Sequence, residues 1–180
     1  MKNLYAPWRS AYTTQVTNTK DDSVDPKDCI FCKQFNTHDD KKYFILRRFK
    51  HTVVILNLYP YNAGHILILP REHGADLHSM SQQARFELME LMAITVPLLK
   101  KTLHAQGINV GLNLGKAAGA GIPAHLHMHI IPRWVGDTNF LPVIAETKQI
   151  STDLNEIYEL LLPEFQNIDK EKLEYTKELL

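Results

Sequence analysis

The chain is 180 residues long, which is about the size of one domain and enough to bury a hydrophobic core. Lysine plus arginine and aspartate plus glutamate each number 20, so no net charge attracts a nucleic-acid polymer and any phosphate recognition must be local. No apolar run reaches membrane-spanning length and the N-terminus has no signal-peptide pattern, so we expect a cytoplasmic protein without a membrane partner.

The first predicted elements are an irregular arm, a helical turn and three strands. Residues 1–28 have little hydrophobic periodicity, and a short helical turn is predicted at 29–35. Runs rich in β-branched and aromatic residues, separated by turn residues, predict strands at 43–48, 52–57 and 65–69.

A long helix is predicted over residues 79–104. Ser79 or Ser81 is the expected N-cap residue, since both precede the apolar helical pattern. Pro97 should kink or break this helix, and Gly107 should end it.

The remaining elements complete an α+β plan. A strand is predicted at 108–114, with a histidine-rich strand paired beside it in an antiparallel sheet. Helices are predicted at 152–162 and from residue 170 to the end. The order strands, helix, strands, helices is typical of an α+β fold. We expect a single domain in three parts: an N-terminal arm at 1–28, a core at 29–150 and a C-terminal helical extension at 151–180.

Three histidines are spaced two residues apart at His125, His127 and His129. Side chains alternate along a strand, so this spacing predicts three imidazoles on one face. The residues that take the opposite face are apolar enough for a core: Leu126, Met128 and Ile130. Just upstream, the small residues from Gly115 to Ala124 let the backbone turn sharply and approach a ligand closely. Imidazoles beside bare amide groups suit chemistry on an anion such as a phosphate.

The residues alone leave several interpretations open. The histidines could be the wet face of a half-exposed strand, although three identical imidazoles in register are unusual there. They could instead bind a catalytic zinc with water as the fourth ligand. The pattern favours nucleophilic chemistry at phosphorus, and a nucleotide-binding module without turnover is a further alternative.

The run from Gly121 to Trp134 resembles the signature of the histidine triad family of nucleotide hydrolases and transferases. The run from Asn57 to Pro70 resembles that family's other nucleotide-contacting segment. The tail at 136–143, with the opening at 6–9, resembles the longer members that are diadenosine-tetraphosphate phosphorylases or hydrolases. The resemblance covers roughly residues 4 to 150 and implies a histidine-triad-like α+β fold. That fold has an antiparallel sheet, a long helix and C-terminal helices.

The resemblance also implies roles for single residues. The middle histidine, His127, would be the nucleophile that forms a nucleotidyl–imidazole intermediate, and His129 would hydrogen-bond phosphate oxygens. Asn57 occupies the position that holds the ribose hydroxyls, and His65 falls at another pocket position.

Preorganised donors should stabilise the charge that develops on the phosphate. The candidates are the Asn113 side chain and the amides of Gly119, Ala120 and Gly121. Lys116 and Arg133 could also offset phosphate charge, or could simply be solvated surface residues.

Cys29 and Cys32 have the spacing of half a zinc site, which a redox pair or two buried thiols would share. In the zinc-bearing branch of the family, the other two ligand positions match His73 and His125. The resemblance therefore implies a closed, structural zinc site that takes no part in the chemistry.

The expected function is cleavage of dinucleoside polyphosphates such as diadenosine tetraphosphate. A nucleoside phosphoramidase is the alternative within the family, and a three-histidine metalloenzyme or a non-catalytic nucleotide-binding protein lies outside it. Phosphorylase-type members carry Gly-Ser where this chain has Ala120-Gly121, which leaves water and phosphate as possible acceptors. Members also commonly form homodimers through the long helix and a strand, and we expect a homodimer here.

Overall fold

The computed structural model describes residues 24–146, 150, 152–169 and 173. Most of the predicted N-terminal arm, including the opening at 6–9, lies outside the described residues, as does all but Leu173 of the helix predicted from residue 170. The described helices and strands, in chain order, are α1 Ile30–Phe35, β1 Ile45–Arg48, β2 Thr52–Leu56, β3 Ile66–Pro70, α2 Gln82–Thr102, β4 Gly107–Leu112, β5 Met128–Arg133, α3 Leu141–Ala145 and α4 Leu154–Gln166.

The strands form one antiparallel sheet in the order β1-β2-β3-β5-β4. The predicted α+β plan is confirmed, and so is the antiparallel pairing of the histidine-rich strand with the strand before it. Because β5 lies between β3 and β4, it brings the histidine segment beside the residues that begin β3.

The two faces of the sheet have different covers. β2 and β3 are buried along their whole length, which explains their continuous apolar sequence. One face packs against α2 and α4 and includes the predicted core residues Leu126, Met128 and Ile130. The other face packs against the segment of α1, through residues such as Cys29 and Phe31.

Helix α2 begins where the sequence predicted and continues past its proline. The Ser81 hydroxyl accepts from the Ala84 amide at 3.2 Å, so Ser81 is the N-cap rather than Ser79. Of the kink or break predicted at Pro97, a break does not occur, because the helix runs on to Thr102, and a kink stays a prediction. The carbonyl that lacks a donor because of Pro97 belongs to Ala93, whose exposed position lets water bond it.

The end of α2 also differs from the prediction. Gly107 does not end the helix but begins β4. His104 follows the C-cap Leu103 with a φ of 51°, so a histidine takes the left-handed conformation that usually falls to glycine.

Helix α4 is capped at both ends, and its C-terminal end is also joined to β1. The Asp153 carboxylate accepts from the first amides of the helix. At the other end, the Arg47 guanidinium donates to the carbonyls of Phe165, Gln166 and Ile168 at 2.6–2.8 Å. A cation at this end satisfies carbonyls that the helix leaves unpaired.

No helix among the described residues is long and apolar enough to cross a membrane.

Candidate active site

The three histidines are all buried, but only His129 lies within β5, which begins at Met128. His125 and His127 precede the strand. The rings of His127 and His129 are 5.0 Å apart, whereas His125 is directed to a separate cluster that contains both cysteines. The alternation predicted for the apolar residues is confirmed, because the side chains between the histidines enter the core under α2.

A backbone carbonyl fixes the tautomer of His127. Its Nδ1 lies 2.7 Å from the carbonyl oxygen of His125. A carbonyl can only accept, so Nδ1 must carry the hydrogen. In the neutral ring, Nε2 then has a free lone pair, which is the form that a nucleophilic imidazole requires.

A backbone amide fixes the tautomer of His65. The Tyr61 N–H donates to Nδ1 of His65 at 3.0 Å, so this nitrogen is unprotonated. Nε2 of the neutral ring therefore carries the hydrogen, and it lies 2.9 Å from Nδ1 of His129. His65 donates this hydrogen, and His129 is left with its own hydrogen on Nε2.

Burial keeps both of these rings neutral. Burial, with the nearby rings of His129 and His127, lowers the pKa of His65 to about 3. Burial and the His127 ring lower the pKa of His129 to about 4. Both histidines are uncharged near pH 7, so the tautomers deduced above are the ones that meet a substrate.

Two donors meet at the outer side of His129. The Asn113 Nδ2 lies 3.5 Å from Nε2 of His129. In this orientation both atoms carry hydrogens and cannot bond each other, which leaves both able to donate to one shared acceptor. A phosphate oxygen is such an acceptor.

Asn57 lies next to this chain of contacts. Its Nδ2 is 3.2 Å from Nδ1 of His65, and its Oδ1 accepts from the Tyr59 amide at 3.0 Å. The side chain therefore stabilises the loop between β2 and β3. Its predicted role at the ribose hydroxyls stays a prediction.

The small-residue run forms a tight turn, with left-handed φ values of 80° at Gly115 and 91° at Gly119. The Gly119 amide donates to the Lys116 carbonyl at 2.9 Å, and the Ala120 amide donates to the Gly115 carbonyl at 3.3 Å. To reach a phosphate, these two predicted donors would have to share their hydrogen bonds. The Gly121 amide donates to no backbone carbonyl of the described residues.

Arg133 is engaged away from the histidines. Its Nε and Nη2 donate to the two carboxylate oxygens of Asp137 at 2.6 and 2.8 Å, and its Nη1 donates to the Asn109 side chain. Asp137 was not among the site residues predicted from the sequence, because its contact with Arg133 joins a strand end to a turn. The Gly-Asp-Thr-Asn tail that resembles the longer family members is the signal that could have found it.

The side chains of Cys29, Cys32, His73 and His125 converge, with their ligand atoms all within 4.8 Å of one another. The Cys29 and Cys32 sulfurs lie 3.4 and 3.5 Å from Nδ1 of His125, and the Cys32 sulfur lies 3.4 Å from Nδ1 of His73. Tetrahedral zinc with ordinary Zn–S and Zn–N bonds would place sulfur and nitrogen about 3.6 Å apart. This donor set therefore fits zinc.

The surroundings of the cluster support the same conclusion. Nε2 of His125 lies 2.9 Å from the Pro70 carbonyl, so it carries the hydrogen and Nδ1 is free to bind a metal. Burial and the neighbouring Cys29 raise the pKa of Cys32 to about 11, so the thiolate form needs a cation beside it. Among the described residues this is the single such cluster, and it excludes His127 and His129.

The chain is similar in sequence to a known family and to a named protein. The HIT domain family model matches residues 39–135. The chain is 31% identical over 165 residues to an AP-4-A phosphorylase of Mycobacterium tuberculosis, covering 92% of this chain and 85% of that protein. The chain belongs to the histidine triad (HIT) family.

Two further proteins are similar to the chain. It is 29% identical over 150 residues to an adenosine 5′-monophosphoramidase of Candida albicans, covering 81% of this chain and 96% of that protein. A solved zinc-bound histidine triad protein from Mycobacterium smegmatis is 24% identical, has a TM-score of 0.62 and covers 78% of this chain and 94% of its own, which shows the fold. The relatives with named activities support an enzyme of the HIT nucleotide hydrolase and transferase class.

Proposed function

We propose that this protein cleaves a phosphoanhydride bond of a dinucleoside polyphosphate, such as diadenosine tetraphosphate, through a nucleotidyl–His127 intermediate. The observation that carries the proposal is the hydrogen bond from Nδ1 of His127 to the His125 carbonyl. It holds the ring so that Nε2 has its lone pair free before any substrate arrives.

The reaction has two displacements at one phosphorus. Nε2 of His127 attacks the phosphorus and forms a P–N bond, while the P–O bond to the leaving nucleoside polyphosphate breaks and its electron pair stays on that oxygen. Water or phosphate then attacks the same phosphorus, and the P–N bond breaks with its electron pair returning to Nε2, which restores neutral His127. When water is the acceptor, the proton that it loses passes to solvent. His129 Nε2 and the Asn113 amide would donate to the phosphate oxygens as negative charge increases on them.

Two facts support a dinucleoside polyphosphate as the substrate. The M. tuberculosis relative named an AP-4-A phosphorylase is similar along 92% of this chain. The tail at 136–143 also resembles that longer group of family members. A nucleoside phosphoramidase is the second candidate, favoured by the similarity to the C. albicans protein.

We propose water as the preferred acceptor. Ala120-Gly121 stands where phosphorylase-type members carry Gly-Ser, so a bound phosphate lacks one hydroxyl donor. One such hydrogen bond contributes about 0.5–1.5 kcal/mol, which tilts a near balance by up to roughly tenfold without forbidding phosphorolysis.

A substrate panel with product identification tests both proposals. With diadenosine tetraphosphate and phosphate present, hydrolysis gives AMP plus ATP and phosphorolysis gives ADP plus ATP. Adenosine phosphoramidate gives AMP plus ammonia if the second candidate is correct. Turnover that survives exhaustive chelation would exclude a three-histidine metalloenzyme. Tight nucleotide binding with no turnover on any member of the panel would contradict the enzymatic proposal and indicate a nucleotide sensor.

Zinc, a homodimer and a cytoplasmic location are part of the same proposal. Zinc would bind Cys29, Cys32, His73 and His125 and link the α1 segment to the histidine segment. Free thiols at such a site fit a reducing compartment. The homodimer is supported by β4, which is an edge strand with exposed residues such as Val110.

A further inference from the structure

A buried polar pair joins two loops near the histidines. Asn62 is 6% exposed, and the side chain of Asp137 is 8% exposed. Nδ2 of Asn62 donates to Oδ2 of Asp137 at 2.8 Å and to the Pro132 carbonyl at 2.9 Å. The amide side chain therefore ties the β2–β3 loop to the end of β5 and to the turn that follows.

The carboxylate of this pair is held from several sides. Arg133 donates to both oxygens of Asp137, and the Trp134 amide donates to Oδ2 at 3.1 Å. The hydrogen bonds from Arg133 lower the pKa of Asp137, so the group is a carboxylate throughout the working pH range. Its position is set by these bonds before it meets Asn62.

Asn62 lies in the loop that contacts the active-site histidines. The backbone carbonyl of Asn62 accepts from the His65 amide at 3.2 Å. The preceding residue, Tyr61, donates its N–H to Nδ1 of His65. The Tyr61 ring also stacks on His129, with the ring centres 5.6 Å apart and the planes at 17°. A shift at Asn62 would therefore move three contacts that define the site.

The Tyr61 amide determines the direction of the hydrogen bond between His65 and His129. If it moved away, His65 could carry its hydrogen on Nδ1 and use Nε2 as an acceptor. His129 would then have to donate from Nδ1, and its Nε2 would lose the hydrogen that faces the Asn113 amide. The tautomers of His65 and His129 would both be reversed, and Nε2 of His129 would present a lone pair to phosphate instead of a hydrogen. Nδ2 of Asn57, 3.2 Å from the same His65 nitrogen, limits the effect to a partial one.

We propose that Asn62 and Asp137 are positioning residues that hold the Tyr61 amide in place and so select the tautomers of His65 and His129. Neither side chain acts on the reacting atoms. The consequence for turnover rests on the proposed function, whereas the consequence for the tautomers does not.

The direct test is the nitrogen-15 spectrum of the full-length protein labelled on histidine. In the wild type, Nδ1 of His65 should have the nitrogen-15 chemical shift of an unprotonated ring nitrogen, and Nε2 should have that of a protonated one. The signals that disappear in His65→Gln identify those of His65. In Asn62→Ala and Asp137→Asn, both nitrogens should move toward averaged values. The control is Asp153→Ala, which removes an exposed carboxylate whose hydrogen bonds go to the first amides of α4 and to neither loop. Wild-type nitrogen shifts in both folded variants would overturn the proposal.

Kinetics with diadenosine tetraphosphate give the second readout. The two variants should lose about tenfold in kcat while KM changes by less than about threefold, since a donor to the transition state is lost and the pocket remains. A kcat within about twofold of the Asp153→Ala control would contradict the positioning role. If Asn62→Ala does not fold, Asp137→Asn, which keeps the side-chain volume, decides the question. Shifted tautomers in a protein without turnover would uphold this inference and reject the proposed function.

Discussion

At the scale of single residues, His127 and His129 have the same side chain but opposite protonation at Nε2. Nδ1 of His127 faces a carbonyl, so the free lone pair is on Nε2. Nδ1 of His129 faces the donating ring nitrogen of His65, so the hydrogen is on Nε2. The group that faces Nδ1 therefore leaves one ring with a free Nε2 lone pair, as the proposed nucleophile needs, and the other with an Nε2 hydrogen that it can donate.

Replacing His127, the proposed nucleophile, should abolish turnover and leave nucleotide binding intact. His127→Gly or His127→Ala removes the attacking nitrogen but leaves the donors at His129 and Asn113, so nucleotide still binds. Quantified products, calorimetric titration and a quenched wild-type reaction that reveals an acid-labile adduct are the measurements. The control is His78→Ala, an exposed histidine. Activity above about 1% of the wild type would refute the assignment.

Restoring a hydroxyl at position 121 should raise phosphorolysis. A Cβ at Gly121 would meet nothing within 4 Å, so Gly121→Ser is accommodated without strain. The ratio of ADP to AMP formed from diadenosine tetraphosphate should rise by up to about tenfold at fixed phosphate, because one donor is gained. The control is Ala118→Ser in the same turn, exposed to solvent. An unchanged ratio, or a wild type that already forms only ADP and ATP, would contradict the proposed role of Ala120-Gly121.

The buried neutral His65 should make the protein less stable in mild acid. Its pKa is about 3 in the folded chain against 6.5 for a free histidine, so between these values the unfolded state binds the extra proton. Stability from this residue is present above pH 6.5 and is lost as the pH falls, at about 1.4 kcal/mol per pH unit at most. Urea unfolding of the wild type and of His65→Gln from about pH 6 to about pH 5 should show a shallower slope in the variant. Parallel slopes would contradict this expectation, and His78→Gln controls for replacing an exposed histidine.

At the scale of elements, the sequence predicted what depends on local pattern. The predicted bounds of β2 and β3 agree with the structure to within one residue at each end, because a short continuous apolar run between turn residues is typical of a buried strand. The five-residue α3 was missed, since its apolar side chains Val143 and Ile144 are exposed and show no periodicity.

The parts of the site that sequence could not predict depend on contacts between distant residues. Asn62 and Asp137 are 75 positions apart and meet only because β5 ends beside the loop before β3. The tautomer of His65 is set by a backbone amide, which every residue type except proline supplies equally. The four residues of the proposed zinc site, in contrast, were named from the resemblance, and their side chains converge.

Helix α1 should depend on metal for its stability. Six residues are too few for a stable isolated helix, so its position relies on Cys29, Cys32 and the packing of Phe31. We expect about one zinc per purified chain, and Cys29→Ser should lower Tm by at least about 5 °C with a smaller change in kcat per folded molecule. Elemental analysis, thermal melts and active-site kinetics measure this. Ile30→Ala, which alters an exposed side chain of the same helix, is the control. Absence of zinc in protein never exposed to chelator would refute the site.

At the scale of the whole molecule, the sheet separates the larger hydrophobic core from the histidines of the candidate site. The face under α2 and α4 contains the larger hydrophobic core, whereas the histidines lie on the side covered by α1. β5 serves both faces, because its alternate side chains enter the core and the site. A change on the helical side can therefore lower stability without altering the histidine contacts.

The edge at β4 should be the place where two chains meet. β4 is the last strand of the sheet, and Val110 on it is 42% exposed, with Met89 of α2 49% exposed. Val110 pairs with Ile130, which packs under α2, so Val110 and Met89 belong to the same side of the sheet. An edge strand beside an apolar helix surface pairs readily with a copy of itself about a two-fold axis.

The mass in solution tests this arrangement. Light scattering should give about twice the 20.7 kDa of one chain for the wild type. Val110→Lys should shift the protein to a single chain, because two lysines would face each other across the axis and each would lose its hydration. Val143→Lys, a change of the same kind on the 85% exposed residue of α3, should leave the dimer intact. A wild type that stays a single chain at high protein concentration, or a dimer that is lost only in Val143→Lys, would show that β4 is not the interface.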